Sequence, residues 1–223
     1  MLDPHLRRIL LINPNSSRAT TDMMVAIARA TLPAGFAVDG VTAQRSPPMI
    51  VTRAALEAAG PEVVAIGLAQ VSRYAGVIVS AFGDPGLAEL RTRVAVPAVG
   101  ICEASMLAAA QGGRRFGVAT VTPDLALSIA ERAAALGLAE LYTGIRCTPD
   151  DPVALAGDAS RLQDGLEAVV RACIDRDGAE AVIIGGGPLG EAAAHLRPMF
   201  ATPIIAPIPC AVERLLGMVG DEV

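Results

Sequence analysis

The feature that most limits the fold is a repeat at an interval of about 106 residues. Arg8-Ile9 matches Arg115-Phe116 at 107 positions, Ser80-Ala81 matches Gly185-Gly186 at 105, and Val96-Pro97 matches Thr202-Pro203 at 106. Three strand ends at nearly one offset mark an internal duplication. Two copies make a duplicated βαβ lobe rather than a solenoid, and right-handed crossovers give each copy a parallel sheet. The expected fold class is therefore α/β: two pseudo-symmetric lobes, each a parallel sheet flanked by helices, with the active-site cleft between them. The lobes are expected to comprise residues 1–100 plus 207–223, the last helix returning to the first lobe, and residues 101–206.

Two glycine-rich stretches, residues 74–86 and 181–190, sit at equivalent places in the repeat. Each opens as an apolar, β-branched run and breaks abruptly into Gly and Pro. Such a run reads as a buried parallel strand. The small residues after it leave backbone N–H groups open at the strand's carboxyl end, where open α/β sheets bind their ligands. Around these stretches the first half reads as strands over 8–12, 36–43 and 94–101 and helices over 20–32, 52–71, 87–93 and 103–111. The second half reads as strands over 115–120, 141–146 and 203–207. Its helices run to Leu136, over 160–176, to Leu196, and, as the final helix, from Ala211. The first strand runs into Asn13-Pro14-Asn15-Ser16-Ser17, where a serine caps the next helix and the N-terminal N–H groups offer an anion site.

Apolar residues make up 52% of the chain, aromatics 3%, and Trp is absent, a composition that suits α/β layers. The net charge of −5 without a basic run argues against nucleic acid as a partner. Four cysteines (Cys102, Cys147, Cys173, Cys210) are scattered, with no C-x-x-C pair for zinc or redox chemistry. They read as buried thiols of a reducing cytoplasm, and no metal is expected. The N-terminus has no apolar run of signal-peptide type, and no apolar run reaches 18 residues without Gly, Pro or charge, so no membrane span is expected. Gly185-x-Gly187-x-x-Gly190 satisfies the letter of a dinucleotide fingerprint. Pro188 interrupts it, however, and the next strand ends without an acidic residue for a ribose.

Three strings, Leu11-Ile-Asn-Pro-Asn-Ser-Ser17, Ala81-Phe-Gly-Asp-Pro-Gly-Leu87 and Val99-Gly-Ile-Cys-Glu-Ala104, resemble the aspartate/glutamate/hydantoin racemase superfamily, and its hydantoin and allantoin branch most of all. The resemblance covers nearly the whole chain. It implies two facing lobes, no cofactor, a homo-oligomer, and a cysteine from each lobe on opposite faces of the substrate, one removing the α-proton and the other returning one. This sequence departs at both cysteines: their positions are held by Ala81 and Gly186. Neither side chain can titrate, so two-base thiol racemisation is excluded at these positions. Gly186 within Gly185-Gly186-Gly187-Pro188 looks like a natural variant loop rather than an engineered knockout.

Asp84 and Glu103 are the candidates to replace the thiols, with His195 and Cys102 behind them. The resemblance implies that Asn15, Ser16 and Thr120 hold carboxylate or imide oxygens of the substrate. Asn13, Ser80, Ala81, Phe82, Gly185, Gly186 and Gly187 complete the expected binding set, and N–H groups near Ala81 and Gly186 are expected to form two facing oxyanion nests. The expected ligand is an anionic or ureide small molecule. Three functions fit. One is a cofactor-independent isomerase, decarboxylase or lyase working through a carbanion or enolate without cysteine. The second is an inactive small-ligand binder of the same fold, and the third a nucleotide-binding module. A titratable side chain within reach of Ala81 or Gly186 would separate the first two.

Overall fold

The computed structural model describes residues 6–155 and 157–220. The first repeat runs β1 (Arg7–Asn13), α1 (Arg18–Thr31), β2 (Phe36–Thr42), α2 (Arg53–Gln70), β3 (Gly76–Val79), α3 (Leu87–Arg93), β4 (Ala98–Gly100) and α4 (Ile101–Ala109). The second runs β5 (Phe116–Thr120), α5 (Ala126–Ala135), β6 (Tyr142–Cys147), α6 (Pro152–Leu155), α7 (Ala159–Asp175), β7 (Ala181–Ile184), α8 (Gly190–Leu196), β8 (Ile204–Ile205) and α9 (Pro207–Gly220). Among the described residues the strands form two separate four-stranded parallel sheets, in the orders β2-β1-β3-β4 and β6-β5-β7-β8. The two orders are the same strand for strand, as a duplication requires.

The central strands are apolar on both faces because helices cover both faces. In β1, Ile9 and Leu11 pack against Met24 and Ala28 of α1 and against Ile208, Val212 and Leu215 of α9. Leu10 and Ile12 point the other way, into Val63 and Val64 of α2 and Leu87 and Leu90 of α3. In the second sheet, Val182 and Ile184 of β7 meet Val170 and Cys173 of α7 and Ala193 and Leu196 of α8. Ala181 and Ile183 face Met106 and Ala109 of α4 and Ile129 and Ala133 of α5. Helix α4 touches both halves, with Ile101 and Ala104 in the core of the first sheet and Cys102, Met106 and Ala109 in that of the second.

Several boundaries differ from the sequence reading for local reasons. The strand expected over 94–101 pairs only at Ala98–Gly100. Pro97 has no N–H to give, and Ile101 already opens α4, whose first N–H groups are taken by the Asp84 carboxylate. The last helix starts at Pro207 rather than Ala211, since prolines at 207 and 209 fall in its first turn, where a missing N–H removes no helical bond. By length and mean hydropathy (1.3), residues Arg53–Arg73 could cross a membrane. They are interrupted by Glu57, Gly60, Pro61 and Glu62, and Glu62 is buried, accepting the N–H groups of Gln44 and Arg45.

Met106 is fully buried between α4 and the second sheet. Met106→Ala is expected to cost about 2–5 kcal/mol. Urea denaturation checks this as a lower midpoint at unchanged slope.

Candidate functional site

The carboxyl ends of the four central strands, β1, β3, β5 and β7, meet at a cavity of about 240 Å3 between the two sheets. Asn15 follows β1, Ser80-Ala81-Phe82 follows β3, Val121 and Thr122 follow β5, and Gly185-Gly186-Gly187 follows β7, all on the cavity wall. Thr122 stands 107 positions after Asn15, the same offset that separates the strands they follow. This is the site expected from the repeat.

The Asn13–Ser17 turn is built by side chains. Asn13 is fully buried, and its Nδ2 donates to Asn15 Oδ1 (2.9 Å), Ser17 O (3.1 Å) and Thr21 Oγ1 (2.9 Å). Asn15 Oδ1 also accepts Ser17 N–H, which leaves the Asn15 Nδ2 without a protein acceptor among the described residues. Ser17, one of the two expected caps, is the cap that forms, accepting Thr20 N–H at α1. Ser16 lies off the cavity, in an open surface hollow with Arg18 and Thr42. Thr120 is buried behind the wall, its hydroxyl given to Gly185 O. Ser80 lies on the wall, with its hydroxyl donated to Ile12 O at 2.8 Å. Of the three residues expected to hold an anion, Asn15, Ser16 and Thr120, Asn15 alone lines the cavity.

The two glycine-rich loops are pressed together. A Cβ on Gly187 would lie 2.4 Å from Met24 Sδ and 3.3 Å from the Ser80 carbonyl, and one on Gly185 would lie 2.8 Å from Val118 Cγ1 and 3.1 Å from Phe82 Cε1. A Cβ on Gly190 would meet Ile27 Cδ1 at 2.7 Å. The glycines of the apparent dinucleotide fingerprint thus serve the close approach of one half to the other. The N–H groups of Ala81, Phe82 and Gly186 have no protein acceptor among the described residues.

The carboxylates proposed from sequence stand elsewhere. Asp84 is buried beneath the loop, its oxygens accepting Cys102 N–H (2.9 Å) and Glu103 N–H (2.8 Å) at the start of α4. Burial raises its pKa to about 6, against the pull of those two N–H groups and of Arg132. Glu103 makes a two-pronged ion pair with Arg91 (2.7 and 2.8 Å), with Arg214 at 3.6 Å. Burial pushes its carboxyl up, but Arg91 and the nearby positive charges prevail and hold it below the usual range. Cys102 is fully buried, and burial raises its thiol well above the ordinary value. His195 is exposed on α8. None of the four lines the cavity. The wall contains no Asp, Glu, His, Cys, Lys, Arg or Tyr among the described residues. No cluster of three His, Cys, Asp or Glu suited to a metal occurs among them either.

What the sequence reading missed is the apolar body of the cavity: Met23, Met49, Ile50, Leu56, Leu125, Leu155, Leu162 and Leu189. The repeat carried a signal for part of it, since Leu155 stands 105 positions after Ile50, each in the segment that follows an edge strand.

A model of the Asp/Glu/hydantoin racemase family matches residues 9–215. The hydantoin racemase of Paenarthrobacter aurescens is 24% identical, the alignment covering 96% of this chain and 93% of that protein. The fold is similar to that of allantoin racemase from Klebsiella pneumoniae (TM-score 0.90, 26% identity, 96% of this chain and 88% of that one). Unliganded arylmalonate decarboxylase shares the fold at TM-score 0.64 and 20% identity, over 97% of this chain and 94% of that one.

Gly187→Ala tests the contact between the loops. The added methyl is expected to cost about 1–3 kcal/mol by overpacking against Met24 and the Ser80 carbonyl, measured by thermal or urea unfolding. Gly217→Ala, at an exposed position on α9 where a Cβ meets nothing within 4 Å, serves as a control for glycine replacement without that contact.

Proposed function

The chain belongs to the Asp/Glu/hydantoin racemase family, and from that footing we propose that it is a cofactor-independent enzyme acting on a small carboxylate or cyclic ureide. It stabilises a carbanion- or enolate-like intermediate on uncharged donors of the cleft, and no cysteine takes part. The observation that carries this reading is the wall itself. It offers Asn15 Nδ2 and the unshared N–H groups of Ala81, Phe82 and Gly186, and it lacks an ionisable side chain among the described residues. Fixed N–H donors on a largely apolar wall stabilise developing oxyanion charge without reorganising. An apolar substituent of the substrate fills the side lined by Leu56, Leu125, Leu155 and Leu162.

Such a site favours bond breaking that needs no protein base. When a carboxylate leaves as carbon dioxide, the C–C electron pair passes into the enolate, and water supplies the proton afterwards. A decarboxylase, arylmalonate decarboxylase, is built on the same fold. Racemisation needs a proton carrier on each face, and the two residues at those positions carry none. The same absence favours a second reading, an inactive binder that retains the cleft.

Calorimetry with a hydantoin and an arylmalonate, followed by assays of carbon dioxide release and of deuterium uptake in heavy water, separates the readings. Binding with carbon dioxide release supports the enzyme. Binding without turnover supports the binder. No binding of either ligand defeats both. For a hydantoin, no exchange of the ring α-proton is expected, and robust exchange by the unmodified protein would overturn the assignment of an uncharged site. Asn15→Ala is expected to weaken binding of a charged ligand by about 1.5–3 kcal/mol. Ala81→Cys with Gly186→Cys is expected to introduce measurable exchange, since one positioned acid or base contributes about 10²–10⁴-fold. Leu189→Ala accompanies them, because a Cβ on Gly186 lies 3.1 Å from Leu189 Cδ1 and Cγ.

A further inference from the structure

Asp84 sits two residues past Phe82, in the loop whose Ala81 and Phe82 line the cavity, yet it does not reach the cavity itself. It is the one non-glycine residue with left-handed backbone among the described residues (φ 52°), between Gly83 at φ 137° and Gly86 at φ 73°. A non-glycine residue held there is strained and persists where its surroundings fix it. Its carboxylate supplies that hold. It accepts the first two free N–H groups of α4, Cys102 at 2.9 Å and Glu103 at 2.8 Å, and lies 3.9 Å from Arg132 Nε of α5. Arg132 also donates to the Gly83 carbonyl at 3.2 Å. Gly100 has no room for a Cβ, which would lie 2.1 Å from the Asp84 carboxyl carbon. The loop is thus tied at once to α4, which both sheets share, and to α5, which packs on the second sheet.

We propose that Asp84 is a positioning residue that sets the Ala81-Phe82 turn, and with it the N–H donors of the cleft, from beneath. The proposal rests on the reading of the cleft given above and deepens it by making ligand binding depend on a carboxylate outside the cavity. Burial raises this carboxyl to about 6, above its ordinary 3.8. Its protonation stabilises the fold fully below about 3.8, and that contribution is lost as pH rises through about 6. At neutral pH the ionised form therefore costs stability, and the charge orders the loop and the first turn of α4. The charged groups facing it are Arg132 from α5, Glu103 from α4 and Arg91 from α3, which Glu103 holds. The Cys102 thiol of α4 is un-ionised beside it. On the α2 side the loop meets Leu56 and Gly60, which carry no charge. Arg53, Glu57, Glu89 and Glu131 stand farther out around the same hollow.

The test follows the amide signals of Ala81 and Phe82 by NMR from pH 5 to 7.5 in the ligand-free protein. They are expected to titrate with one midpoint near 6, together with the amides of Cys102 and Glu103. In Asp84→Asn they are expected at shifted, pH-independent positions. Ala81 and Phe82 amides that stay pH-independent in the unmodified, folded protein would overturn the proposal, and that arm needs neither a variant nor a ligand. A neutral hydantoin is then titrated calorimetrically, so that like-charge repulsion plays no part. Its affinity is expected to fall as pH drops through 6 in the unmodified protein and to be flat in Asp84→Asn. A pH-independent affinity in the unmodified protein also overturns the proposal. If the amides titrate as expected and hydantoin does not bind, the positioning role stands and the ureide reading of the cleft fails.

Discussion

The cleft exists because two backbones approach where no side chain fits. Gly187 lies against the Ser80 carbonyl and Met24, and Gly185 lies against Phe82 and Val118. These contacts bring the carboxyl ends of β3 and β7 within one cavity's width. Each sheet is covered on both faces by helices, α4 being shared between the two, so the strand ends are what remain open. A single methyl at Gly187 acts on both halves at once. The asymmetry of the pair also follows. The first loop presents Phe82, a large ring crossing towards the other half, and the second answers with glycine.

The architecture was legible because it was written twice. Strands that end at one offset of about 106 residues gave sheet number, direction and the place of the cleft. Exact helix starts were not legible, because they depend on distant partners. Ile101 begins α4 rather than ending a strand because a carboxylate 17 positions earlier takes the next two N–H groups. Asn15, Ala81, Phe82 and the three glycines lie on the wall, where the strand ends and the resemblance together led one to expect them. Ser16 and Thr120 do not, because a side chain's direction at a strand end is decided by local bonds. Thr120 spends its hydroxyl on Gly185 O, and Ser16 turns outward beside the Ser17 cap.

The carboxylates show the limit more sharply. Asp84 and Glu103 looked available in sequence because both lie within a few residues of strand ends. Burial and partners decide otherwise. Asp84 is committed to the start of α4 and Glu103 to Arg91, so both are structural anchors before they are reagents. Acid–base chemistry needs a group within hydrogen-bond reach of the moving proton. Proximity in the chain does not supply that reach when the side chain points into a helix end.

The two positions at which the resemblance puts cysteines are not equivalent. Ala81 retains a Cβ at the half-buried floor of the cleft. Gly186 has φ 158° and ψ 133°, and the place of its Cβ is already shared with Leu189 at 3.1 Å. The second position has therefore closed around glycine, with Leu189 adding an apolar contact to the wall where the resemblance would put a thiol. At these two positions the cavity presents apolar surface and bare N–H groups, with no side chain that carries a proton. On the proposed reading, charge stabilisation falls to the backbone N–H groups, protons come from water, and selectivity follows the shape of an apolar substituent.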